Sequence, residues 1–285
     1  MTSEKAKRVP SIVLVFFLHA LSQGGLFSRI PDLQRGLGLT EAELGLALLG
    51  QPVGAIAMFL VSSMLVERLG TRLIILFSIP ALALAMVLTA LAPSLQVMWL
   101  GFVAWGGVFA LSNVAINVEA DRVEAARDRR LMNTCHGIWS VGLLIAALIG
   151  TAMRGANVAP AVHFFIMAVI VVVGILVVAL PLQPAPPRAH AQNGSGKGIR
   201  VALPTTMTLL LVGSAFGSAL LEGGLRNWSV IFMRDSFAAP DWVDTLTLPA
   251  FMTAQSIGRL LDRPVEPLPF HPPFTAAPCC ELSPA

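Results

Sequence analysis

Two short polar stripes interrupt otherwise apolar stretches of this chain, and they hold the side chains best suited to chemistry. His19 and Gln23 stand one helical turn apart and so share a face. An imidazole and an amide placed together can hydrogen-bond a hydroxylated molecule or pass a proton. The plainer alternative is a tie to a neighbouring helix, worth about 0.6 kcal/mol on average. Glu222 and Arg226 repeat the same spacing further along. A carboxylate at that depth suits reversible protonation, or the two form a structural ion pair at i, i+4. Gln51 precedes Pro52, which is expected to kink its helix. Asn113 and Asn117 share a face, and with Glu119 and His136 they make either an inner gate network or simple polar packing between helices.

These residues need an explanation because of the elements that carry them. Apolar residues make up 55% of the chain and charged residues only 12%, against about 25% charged in ordinary soluble domains. The charges fall in short clusters separated by apolar runs near 9–29, 44–66, 73–92, 97–118, 131–153, 160–181, 205–225 and 242–261. A run of about twenty residues crosses roughly 30 Å of hydrocarbon as a helix, so the spacing predicts an all-α integral membrane protein of about eight spans. A charged side chain inside such a span costs about 2.5–3.5 kcal/mol on insertion scales, which makes each one informative. The first run is too long for the apolar part of a cleavable signal peptide. Alternating ten-residue strands, the mark of a membrane barrel, are absent from the sequence.

Connections are short except at 184–204, where Pro184 opens a Pro/Gly/polar linker after the sixth span. The division predicts a six-helix bundle at 1–183 and the start of a second bundle at 205–261. Of the 19 lysines and arginines, 14 fall at one set of span ends; Arg29, Arg35, Arg154, Arg226 and Arg234 are the others. That bias predicts a cytoplasmic N-terminus, linker and C-terminus. It also accounts for the net charge of +3 without any nucleic acid. Trp99, Trp228 and Trp242 lie near span ends and read as interfacial anchors. An internal repeat matches residues 20–26 with 219–225, placing Gln23 and Glu222 at equal depth in the first helix of each half. Repeats of unchanged orientation mark parallel halves.

Between the second and third spans the chain reads Ser63-Met-Leu-Val-Glu67-Arg68-Leu-Gly70-Thr71-Arg72. Gly70 permits a tight turn, and Glu67 and Arg68 are placed to pair with neighbouring helix ends. This run resembles the signature of the major facilitator superfamily of transporters (MFS), with Glu67 for the usual Asp, Arg68, Gly70 and Arg72 matching, and Ser63 and Thr71 departing. The segments SRIPDLQ at 28–34, NVAINVEA at 113–120, His136-Gly137 and EGGLRNW at 222–228 are similar to a bacterial, fucose-permease-like branch. Span 4 lacks the arginine, and span 5 the glycine-proline kink, that mark drug–proton antiporters in the superfamily.

The resemblance implies an MFS-type bundle with about eight of the usual twelve helices, in the bacterial inner membrane. It implies a gradient-driven secondary transporter of a small solute, coupled to protons if Glu222 carries one. The candidate solute or coupling residues are then His19, Gln23, Gln51, Glu222 and Arg226. The cytoplasmic gate candidates are Glu67, Arg68, Gly70, Arg72, Asn113, Asn117, Glu119 and His136. The expected partners are lipid and the solute, with no cofactor, no metal and no enzymatic activity. Residues 262–285 hold seven prolines and no helical period. Pro267 and Pro269 stand where the repeat would place the counterparts of Arg68 and Gly70. These features predict a chain cut short after the eighth helix, its tail out of frame, and inactive alone. The alternative is a non-transporting fragment produced by a frameshift or early stop.

Overall fold

The computed structural model describes residues 2–126, 131–182, 205–237 and 240–261. The expected linker at 184–204, the tail at 262–285, and Arg127, Arg129 and Arg130 lie outside the described residues. Among the described residues ten helices run in order: α1 (Thr2–Leu37), α2 (Glu41–Leu48), α3 (Gly50–Leu69), α4 (Thr71–Ala90), α5 (Leu95–Ala125), α6 (Met132–Gly155), α7 (Pro160–Ala179), α8 (Thr206–Phe237), α9 (Asp241–Asp244) and α10 (Thr247–Leu261). Seven spans are long and apolar enough to cross a membrane, with α2 and α3 counting as one. The chain is an integral membrane protein.

Local chemistry sets the boundaries. α1 continues to Leu37, past the end of its apolar run, because Arg29 pairs with Asp32 within the helix at 3.2 Å. α2 opens with a capping box: the Thr40 amide donates to Glu43 Oε2 at 2.8 Å, and the Glu43 amide donates back to Thr40 Oγ1 at 3.3 Å. The break between α2 and α3 falls at Leu49, about one turn before Pro52, whose ring and missing N–H disrupt the turn preceding it. Gly70 joins α3 to α4 at φ 80°, a left-handed conformation open to glycine. α7 begins at Pro160, in the first helical position where proline's fixed φ is an advantage. The eighth expected span, 242–261, is divided by a turn at Thr245 into α9 and the 15-residue α10.

By alternation, the starts of α1, α4, α6 and α8 lie at one end of the bundle, the near end. The connections at 38–40, 91–94 and 156–159, the end of α8 and the start of α9 lie at the far end. Small residues let the helices approach closely. A Cβ on Gly24 would lie 2.5 Å from Ala146 Cβ, and one on Gly142 would lie 2.8 Å from Ala20 Cβ, which is the α1–α6 seam. α3 and α5 meet more tightly, around Gly50, Gly54 and Gly106.

α8 and α10 touch this first set of helices unevenly. From Thr205 to Leu221 every residue of the α8 segment is exposed, whereas Val230 and Ile231 near its far end are buried. Met252 of α10 packs with Ala20 and Leu143.

Candidate functional site

His19 is fully buried at the centre of α1, and its ring is held at both nitrogens. The Trp139 indole, which can only donate, gives its N–H to His19 Nδ1 at 3.2 Å. Nε2 therefore carries the hydrogen and donates to Ser112 Oγ at 3.0 Å. The Ser112 hydroxyl in turn donates to the Phe109 carbonyl at 2.9 Å. Gln23 Nε2 lies 3.5 Å from both His19 Nδ1 and the His19 carbonyl. The imidazole also stacks on Phe109 with centroids 5.5 Å apart, and Phe109 stacks on Trp105 at 5.6 Å and 7°. α1, α5 and α6 thus converge on a fully bonded neutral imidazole flanked by aromatic faces. Trp139 and Phe109 keep part of their surface uncovered.

From the second set of helices, Glu222 and Arg226 of α8 form an ion pair one turn apart. The Arg226 guanidinium lies over two rings of the first set, 5.7 Å from the Phe27 centroid and 5.8 Å from that of Trp139. Arginine over an aromatic face is attracted by the ring quadrupole, and more strongly where water is excluded. Trp139 is the link: its edge bonds His19 and its face receives Arg226.

Gln51 is not brought into this cluster. Its carbonyl abuts Gly106 at the α3–α5 crossing, and its Nε2 is buried with no partner among the described residues. The near-end candidates make separate contacts among the described residues. Asn117 Nδ2 bonds back to the Asn113 carbonyl at 2.8 Å and to Asn113 Oδ1 at 3.3 Å. Glu119 instead accepts from Thr71 Oγ1 at 2.5 Å and from Arg122 at 3.2 Å, tying α4 to α5. His136 packs its ring edge-on to Phe16, with centroids 5.5 Å apart. Glu67 and Arg68 are exposed and make no ion pair among the described residues. Arg72 donates to the Leu180 carbonyl at 2.5 Å, capping the end of α7.

Sequence reasoning missed Trp139, Phe109 and Ser112. The available signal was the stripe Trp139, Leu143, Ala146, which faces α1 at i, i+4, i+7 spacing. It also missed an ion network at the far end. Asp32 receives Arg29 at 3.2 Å and Arg154 at 3.0 Å, and Arg154 reaches on to Asp244. Arg29 further donates to the Val158 carbonyl.

Apolar spans around a polar, aromatic-lined centre, approached from two sets of helices, define a multi-pass membrane protein. The family model of the Major Facilitator Superfamily matches residues 12–274, and the chain belongs to that superfamily. It is similar to an uncharacterised MFS-type transporter of Yersinia pestis, 26% identical over 250 residues, covering 87% of this chain and 63% of that one. An uncharacterised transporter of Sinorhizobium fredii is 27% identical over 247 residues, covering 86% and 64%. The membrane protein MosC of Rhizobium meliloti is 24% identical over 260 residues, covering 90% and 61%. The chain therefore spans somewhat under two thirds of the length of these relatives. Among solved structures, a mutant of the nucleoside transporter NupG shares the fold, with a TM-score of 0.64 at 14% identity over 88% of this chain and 64% of that one.

Proposed function

We propose that the chain forms the first half and the opening helices of the second half of a gradient-driven secondary transporter for a small polar solute that carries a ring. The observation behind this is the placement of Trp139, between a bonded His19 on one half and the Arg226–Glu222 pair on the other. Aromatic faces suit the flat side of a ring, and amide and guanidinium groups suit its hydroxyls or carbonyls. Glu222 holds Arg226, so protonating it releases the guanidinium toward the solute. This gives proton coupling a local mechanism. The sequence resemblance supports the fucose-permease-like branch and a bacterial inner membrane.

Transport by two rocking halves needs both halves, and these residues supply only α8 to α10 of the second. Proteoliposomes test the proposal. A chain carrying both halves complete accumulates solute when driven by a proton gradient, and its Glu222→Gln variant keeps solute exchange while losing accumulation. The 285-residue chain alone carries no saturable flux. Unchanged accumulation by Glu222→Gln returns Glu222 to a purely structural role.

The charge bias favours a cytoplasmic near end. With Cys279 and Cys280 replaced, a cysteine introduced by Ser195→Cys is expected to resist impermeant thiol reagents in intact cells, while Ser94→Cys reacts. Equal labelling rates contradict that orientation.

A further inference from the structure

The far-end ion network joins the two halves, and its composition is unequal on the two sides. Arg154 of α6 is buried, with 3% exposure, and holds Asp32 of its own half at 3.0 Å. Its other arm pairs with Asp244, which ends α9 of the second half and is fully buried. Asp32 has a second cation in Arg29, at 3.2 Å. Arg29 also donates to the carbonyl of Val158, which fixes the α6–α7 turn against α1 and makes the Arg154 mount rigid. At the same end Arg234 donates to Gln34 Oε1 at 3.0 Å and Val230 and Ile231 are buried, while at mid-depth Met252 of α10 packs on Ala20 and Leu143. Toward the near end, by contrast, α8 is exposed from Thr205 to Leu221.

We propose that Arg154 is a latch that holds the far end shut by bridging Asp32 and Asp244, and that opening this end breaks the Asp244 arm alone. A buried ion pair broken in place leaves an uncompensated charge, which is strongly unfavourable. Here separation moves Asp244 into water, while Arg154 keeps Asp32 and Asp32 keeps Arg29. Neither side of the open state then holds a buried charge without a partner. The latch thus favours the closed far end without making the open one inaccessible, and a population of this kind is shifted by any change in differential contacts.

The inference rests on the rocking of two halves proposed above, but its test needs no solute or flux, so the two fail separately. Spin labels on Asn157→Cys and Ser236→Cys, in a chain with its native cysteines replaced and held in nanodiscs, report the far-end separation by double electron–electron resonance. The unmodified latch is expected to give mainly one short distance. Asp244→Asn is expected to raise the longer-distance population at least threefold, whereas Asp32→Asn, which leaves the Arg154–Asp244 arm, does not raise it. Should a single variant not be recovered folded, Arg154→Gln combined with Asp244→Asn removes both charges together and is expected to open the far end likewise. Distances unchanged in the Asp244 variants, or opening by Asp32→Asn to the same extent, overturn the latch.

Discussion

Gly54→Ala is expected to lower the thermal midpoint of the purified chain sharply or to prevent its recovery as a monodisperse species. A single added methyl group decides this. A Cβ on Gly54 would lie 1.9 Å from the Val103 carbonyl oxygen, 2.7 Å from its carbon and 2.9 Å from the Gly107 nitrogen. These are backbone atoms of α5, so no side-chain rotation relieves the overlap, and the two helices must separate. The crossing is reciprocal, since a Cβ on Gly106 would lie 2.0 Å from the Gln51 carbonyl oxygen. Overpacking typically costs about 1–3 kcal/mol and more where the backbone must shift; this site belongs at the upper end. Separation also exposes Phe102, which is fully buried beside Gly50. Gly217→Ala is the control, because nothing lies within 4 Å of a Cβ there. Gly54→Ala melting with the unmodified chain, by retention of the monodisperse peak after heating, contradicts the close crossing.

The spans were legible in the sequence because hydrocarbon thickness sets a length that charge clusters punctuate. What charge clusters concealed was continuity. Arg29, Asp32 and Arg35 look like the end of the first span, yet α1 runs on to Leu37 since Arg29 and Asp32 pair inside it. Pro52 signalled a disturbance in the second span, and the structure places it at Leu49, on the N-terminal side where proline acts. The pairing of Glu222 with Arg226 is local and follows from helical spacing, so it was among the alternatives read beforehand. His19 and Gln23 stood out as polar groups in an apolar run. Their partner Trp139 did not, because a tryptophan in a span reads as packing until its ring nitrogen is seen beside an imidazole 120 positions away. Asn113 and Asn117 share a face, but Glu119 and His136 are grouped with them only by lying near the same end of the bundle. Depth does not fix the direction of a side chain, and Glu119 turns to Thr71 of α4 instead. The Arg154–Asp244 contact joins residues 90 apart through no repeat or motif, and only tertiary packing shows it.

The assignment of the solute site to both halves is tested most directly by equilibrium binding to the purified chain in nanodiscs, using tritiated hexose, inositol and nucleoside as probes. Saturable binding of one of these is expected. It should fall at least tenfold in affinity in Trp139→Ala, which removes both the stacking face and the His19 bond, and in Arg226→Ala, which removes the second half's contribution. A tenfold loss corresponds to about 1.4 kcal/mol, within the range of one aromatic or charged contact. Trp242→Ala, at an exposed far-end position, should bind as the unmodified chain does. Binding of none of the three probes, or equal affinity in the Trp139, Arg226 and unmodified proteins, would contradict a solute site at this junction.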